Sequence, residues 1–357
     1  MKHHLVAALA AAGLSWACGA NAAPAVFAYA LFDHGDGGLA AWRMDAATGA
    51  LELVATVPVR SPSGLATDAS HRFLYTVDNG DGEFPAEPVV VAYRIEPWGA
   101  PAEIGRLAAP PRWSKGGRVL AASDRFVYVL LNDSSTGYAV AIMVYRIGET
   151  GTLSEVGYSG AGISCCLQFF ALDAAGQSAF MDSGGSTRVM GYRTNADGTL
   201  SGSGQAPTTG VPTAGGLHPS GRWLLVGGGD LGSTYVASYA AGPGTLEGPV
   251  SSINPGFNPH AIAVDPAGRF LAVAGLGALV SYRVDEASGR LRRDMLPLEL
   301  DEPHSMAFDP GGRFLYVATF FELTVMAVEQ RTGVLHPLSV VAPPGVDVRD
   351  ILMVAVP

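Results

Sequence analysis

The chain has 357 residues, of which 48% are hydrophobic and 15% charged, a balance that excludes intrinsic disorder. Its 46 glycines and 24 prolines show no regular Gly-X-Y spacing, which excludes collagen, and both residues cost stability in helix interiors, which argues against long helices. With 22 Lys+Arg against 32 Asp+Glu the net charge is −10, and no basic stripe offsets it, so nucleic acid is not an expected partner.

Residues 1–22 read as an export signal. Lys2 supplies the positive start, Leu5 to Ala17 the short apolar core, and Ala20-Asn21-Ala22 the small-x-small cleavage site. Gly13 and Ser15 interrupt a run already too short to span a bilayer, and no later segment reaches spanning length without Gly, Pro or charge. A lipid anchor on Cys18 fits less well, because Trp16 is too bulky for a lipobox. The expectation is a periplasmic or secreted protein whose residues 23–357 form one domain with no membrane span, read as a monomer.

From there the chain repeats. An apolar-aromatic-Arg strand followed by a Gly turn and a Leu occurs as AWRMDAATGAL at Trp42, AYRIEPWGAP at Tyr93, VYRIGETGTL at Tyr145 and GYRTNADGTL at Tyr192. It continues as SYAAGPGTL at Tyr239, SYRVDEASGRL at Tyr282 and AVEQRTGVL at Val328, at intervals of 43 to 52 residues. A second motif runs in phase: an apolar strand, a polar-Gly turn, and a strand opened by Arg and an aromatic. Its Arg-equivalent positions are Arg72, Arg125, Gln177, Arg222, Arg269 and Arg313.

Each repeat thus carries four short β-rich runs with no sustained helical period. A lone four-stranded sheet exposes both faces, so such units must stack, and this period predicts an all-β, seven-bladed β-propeller. The first motif occurs seven times and the second six. The missing copy is split between the termini: Val26 to Leu31 matches the strand after the Arg, and Ile351 to Val356 the strand before the turn. The C-terminal strand is therefore predicted innermost in the first blade, closing the ring and removing two open edges.

With the strands of a blade named A to D from the axis outward, the DPAGR and DPGGR turns fall on one face. Asp265 and Asp309 there are expected to tie down turns through side-chain to backbone bonds. Irregular residues collect on the other face, where function on such scaffolds resides. Inner strands begin there with Arg112-Trp113-Ser114-Lys115, Cys165-Cys166-Leu167-Gln168, Pro259-His260, Pro303-His304 and Arg349-Asp350. Second strands end there at Asp33-His34, Asp78-Asn79, Asn132-Asp133, Asp182 and Asp230, and blade seven adds Phe321-Glu322.

A carboxylate or imidazole in this set can activate water, and a cation can stabilise an oxyanion. Asp230, His260 and His304 are the candidate bases and Arg349 the candidate oxyanion partner. Lys115, Cys165, Cys166, Gln168, Asp182, Arg188 and Glu322 are candidate ligand contacts. The alternative is that these groups are simply hydrated around a central channel. Cys165-Cys166 is either a vicinal disulfide or a pair of buried thiols. No zinc-type ligand spacing, strand-loop-helix phosphate cradle or G-x-S-x-G elbow is present, so neither metal nor cofactor is expected. The Trp and Tyr of the first motif are read as blade packing.

The paired motifs GRFLYV and YR-x(5)-G-x-L resemble those of the β-propeller lactonases, the family of bacterial 6-phosphogluconolactonase and its muconate-cyclising relatives. The resemblance covers essentially the whole chain after the signal. It implies metal-independent hydrolysis of a sugar or related lactone on the axial face. It also exposes departures. Where the family begins one inner strand with Pro-Arg-His, this chain has Pro212-Thr213-Ala214, and where its neighbour ends Asn-Glu it has Gly229-Asp230. The family's blade-six His and Arg fall on Ala263 and near Gly275, and its blade-seven Pro-Arg is Pro303-His304. Export separates the protein from phosphorylated cytoplasmic sugars, which argues against 6-phosphogluconolactone. The expected partner is a small molecule such as a lactone; the competing class is a non-catalytic propeller binding a protein or small ligand through the same face.

Overall fold

The computed structural model describes residues 24–33, 38–80, 87–112, 116–132, 140–159, 167–230, 232–300, 302–320, 322–341 and 347–357. Residues 1–22, Lys115, Cys165 and Cys166 lie outside these, so the expectations placed on them have no structural counterpart here. The described residues form strands and turns and no helix, and none therefore provides a helix long and apolar enough to cross a membrane.

Seven antiparallel sheets follow one another around an axis. Blade two shows the pattern, with Ser63–Thr67, Phe73–Asp78, Val89–Ile95 and Pro101–Ala108 running from the axis outward. The first strands of neighbouring blades approach one another in a closed circuit. Blade one differs as predicted: Val348–Val356 is innermost and pairs antiparallel with Ala25–Phe32, from Ala25 opposite Val356 to Phe32 opposite Val348. Blade six departs slightly, because its outer strand is split into Leu291–Arg293 and Leu298–Glu299, both paired with Ala278–Val284.

The core lies in layers between blades. One layer joins Ala28 and Trp42 of blade one to Tyr316 and Val325 of blade seven; another joins Tyr75 and Val90 of blade two to Val129 and Tyr145 of blade three. Each sheet is thus apolar on both faces, which explains continuous apolar second strands such as Phe73–Asp78, buried throughout. The motif aromatics Trp42, Tyr93, Tyr145, Tyr192, Tyr239 and Tyr282 are buried in these layers.

The turn chemistry follows the sequence. Asp309 Oδ1 accepts from the backbone N–H of Arg313 at 2.6 Å and Phe314 at 2.7 Å, and its Oδ2 from Gly311 at 3.0 Å. Asp265 accepts from the Arg269 backbone at 3.1 Å and pairs with its guanidinium at 2.8 Å. The motif glycines sit where a blade meets the next. Gly151 adopts φ +84°, and a Cβ there would lie 2.3 Å from the Phe73 ring of the preceding blade. Its carbonyl accepts from Tyr75 Oη at 3.2 Å. Tyr29 with Gly99, Tyr128 with Gly198 and Tyr316 with Gly49 repeat this staple, each contributing about 1 kcal/mol net. The motif glycines are therefore a demand of blade-to-blade contact.

Candidate active site

The register of the innermost strands builds the site. Met353, Thr67, Ala122, Leu172, Leu217, Val264 and Phe308 occupy equivalent levels, each opposite the second residue of the second-strand core: Ala28, Leu74, Val127, Ala179, Leu224, Leu271 and Leu315. Four residues upstream of each, in blade order, stand Arg349, Ser63, Arg118, Gln168, Thr213, His260 and His304. All seven line one axial cavity of about 650 Å³, to which every blade contributes. Asp33 and Asn79, just beyond the second strands of blades one and two, also line it, so it opens on the irregular face.

Two guanidinium groups in the ring have different environments. Arg349 is half exposed and sits between two carboxylates, Asp347 at 2.6 Å and Asp33 at 3.4 Å. Arg118 has one hydrogen-bond acceptor among the described residues, the Leu167 carbonyl at 2.8 Å. Burial pulls its guanidinium down, against the upward pull of the Asp350 and Asp182 charges.

Asp350 is held in the wall. Its Oδ2 accepts from the Leu65 N–H at 3.0 Å and its Oδ1 from Ser305 Oγ at 2.8 Å and the Ile351 N–H at 2.9 Å. It thereby ties blade one to blades two and seven. Burial nevertheless raises its carboxyl above the ordinary range, outweighing these donors.

The two imidazoles stand at the same level in adjacent blades. His260 is exposed to the cavity. His304 is half-buried, its ring edge-on to Phe320 with centroids 3.9 Å apart. Its Nε2 is buried without a hydrogen-bond partner, so a proton there meets no acceptor. Burial accordingly lowers the His304 pKa, opposed by the Asp347 charge and reinforced by Arg349. The shift favours the neutral ring, the form that can accept a proton.

Of the described residues expected at the site, His260, His304, Arg349 and Gln168 converge on the cavity. Asp230, Asp182, Arg188 and Glu322 stand elsewhere. Asp230 is exposed and outside the lining, its Oδ1 accepting from the N–H groups of Gly232 and Ser233 at 3.3 Å, which makes it a cap of its own turn. Asp182 is fully buried; it accepts from the N–H groups of Gln168 at 2.8 Å, Phe169 at 3.0 Å and Gly184 at 2.9 Å, and burial raises its pKa. It positions the inner strand of blade four and presents no free oxygen to a ligand. Arg188 is exposed on the third strand and reaches Gln205 at 3.3 Å. Glu322 closes a turn with Thr319 and accepts from Thr324 Oγ1 at 3.2 Å.

Ser63, Arg118 and Thr213 were not singled out from the sequence, although a signal existed. Each ring residue of blades two to seven lies five positions before the turn residue Asp68, Ser123, Asp173, His218, Asp265 or Asp309. Thr213 stands where the related family has its Arg, and its hydroxyl donates to the Pro259 carbonyl. Among the described residues no group of His, Cys, Asp and Glu could hold a metal ion.

A seven-membered ring of polar side chains in a closed propeller defines the class, and comparison places the chain within it. The sequence model of the family "Lactonase, 7-bladed beta-propeller" matches residues 129–342, and the chain belongs to that family. Among solved structures, the periplasmic gluconolactonase PpgL of Pseudomonas aeruginosa is similar, with 23% identity and a TM-score of 0.75 over 93% of this chain and 100% of that one. A Lactobacillus plantarum protein matches with 19% identity and a TM-score of 0.72, over 93% and 99%. A hypothetical selenium-binding protein of Sulfolobus tokodaii gives 10% and 0.71, over 93% and 94%. At these identities the likeness concerns the fold. No curated protein sequence matches the chain.

Proposed function

We propose that the chain hydrolyses the cyclic ester of an unphosphorylated sugar-type lactone in the axial cavity. The observation that carries this is the convergence of a half-buried imidazole whose pKa burial lowers, a second imidazole and two guanidinium groups on one polar cavity, in a lactonase-family propeller. His304 takes a proton from water at Nδ1, its Nε2 being buried, as the water oxygen bonds to the lactone carbonyl carbon. The tetrahedral intermediate then expels the ring oxygen, which leaves as a hydroxyl on receiving that proton back. One water is consumed and one ester C–O bond broken, giving a hydroxycarboxylic acid.

Charge supports an unphosphorylated substrate. Arg349 is already compensated by Asp33 and Asp347, so among the described lining residues Arg118 is the one uncompensated guanidinium, short of the several cations that a phosphate dianion recruits. The reading of residues 1–22 as an export signal points the same way, as does the periplasmic gluconolactonase among the structural neighbours. We take residues 23–357 as one exported domain.

Titration of acid release at constant pH tests this with glucono-δ-lactone and related aldonolactones, at mildly acidic pH where spontaneous opening is slow. Hydrolysis above background, saturable in lactone, is expected. No hydrolysis above background, with a thermal shift on adding lactone retained, would instead make the protein a binding module of the same face.

A further inference from the structure

The cavity contains a partly buried cation, Arg118, that the described residues leave largely uncommitted. Arg118 has five N–H donors and spends them on one acceptor among the described residues, the Leu167 carbonyl. The carboxylates that act on it from a distance are Asp350 and Asp182, and both are engaged by other donors. Asp350 takes three, from Leu65, Ser305 and Ile351. Asp182 takes three backbone N–H groups. Arg349, by contrast, is paired twice and sits half exposed. A guanidinium partly withdrawn from water without a paired carboxylate is costly, and an incoming anion relieves that cost. The ring neighbours of Arg118 at the same level, Ser63 and Gln168, offer groups that suit hydroxyls.

We propose that Arg118 is the carboxylate-recognising residue of the axial cavity, so that the cavity binds open-chain polyhydroxy carboxylates in preference to neutral molecules with the same hydroxyls. This rests on the lactonase reading for the choice of ligand, because a hydroxycarboxylate is what opening such a lactone yields. During the reaction the same guanidinium faces the oxygen on which negative charge develops. The product, now carrying a full charge, is held more tightly than the neutral substrate, and hydrolysis slows as it accumulates.

Calorimetric titration of the full chain with gluconate, gluconamide and glucitol at fixed ionic strength tests the assignment. Gluconate is expected to bind at least about tenfold more tightly than either neutral compound, the discrimination of one charge-assisted contact. In Arg118→Gln that preference should vanish while binding of glucitol is unchanged, and Arg118→Lys should retain part of it. Equal binding of gluconate and gluconamide to the unaltered protein would overturn the proposal without recourse to a variant, as would an undiminished preference in a folded Arg118→Gln. Turnover is a separate readout. Lactone hydrolysis without charge preference would remove Arg118 from this role and leave the lactonase reading standing. Charge-selective gluconate binding without turnover would do the reverse.

Discussion

Deletion of residues 348–357 is expected to abolish cooperative folding. The strand Val348–Val356 supplies the inner edge of blade one and buries Val348, Ile351, Val354 and Val356 against its neighbours. At about 1.5–3 kcal/mol for each such side chain, these four alone approach the roughly 5–15 kcal/mol by which a domain is stable. The deletion also removes Asp350, which accepts from Leu65 of blade two and Ser305 of blade seven. It leaves the second strand Ala25–Phe32 as an unpaired edge facing the axis. Thermal unfolding followed by circular dichroism should show a broad or missing transition. A sharp transition at the midpoint of the intact protein would mean that the ring does not depend on this closure.

Replacing His304 by Gln should lower kcat/KM for lactone hydrolysis by about 10²–10⁴, the range of general-base contributions, with little change in melting. The pH profile distinguishes the role from a packing effect. Burial lowers the His304 pKa, and the active form of a base is the neutral one. Activity should therefore persist on acidification to below the ordinary histidine range, then fall as the ring takes up its proton. The variant should lack that acidic limb. Undiminished kcat/KM with the limb intact would exclude His304 as the base, leaving His260, its counterpart in blade six, to account for it.

The fold was legible because its determinants are local. The Arg-aromatic strand openings at Arg72, Arg125, Arg222, Arg269 and Arg313, the short polar turns before them and the glycines beneath neighbouring aromatics recur from blade to blade, and terminal closure followed from the one motif split between Val26–Leu31 and Ile351–Val356. The site was legible in part, because it depends on register. The inner strands of blades two, five and six carry irregularities at Ser63/Leu65, Pro212/Ala214 and Pro259/Ala261, next to the positions that reach the cavity. Blade three has a shorter first turn and a strand that begins at Gly117, and it contributes Arg118, a residue that the strand starts do not pick out; Trp113 to Lys115 lie outside the described residues. Asp230 was expected at the axis because it ends a second strand. Its own Asp-Leu-Gly-Ser turn consumes the carboxylate, as Asx turns do.

The central claim is that chemistry takes place inside the axial ring. Ser63 lines the cavity beside Arg118 and Arg349, on the blades that flank it, and Ser63→Trp would put an indole into the ring between them and obstruct it while leaving the interblade layers intact. Measured for glucono-δ-lactone by acid release at constant pH, the unaltered protein should turn over and Ser63→Trp should fall to the uncatalysed rate with its melting unchanged. Equal turnover by the two proteins would place the reaction outside the ring and contradict the account.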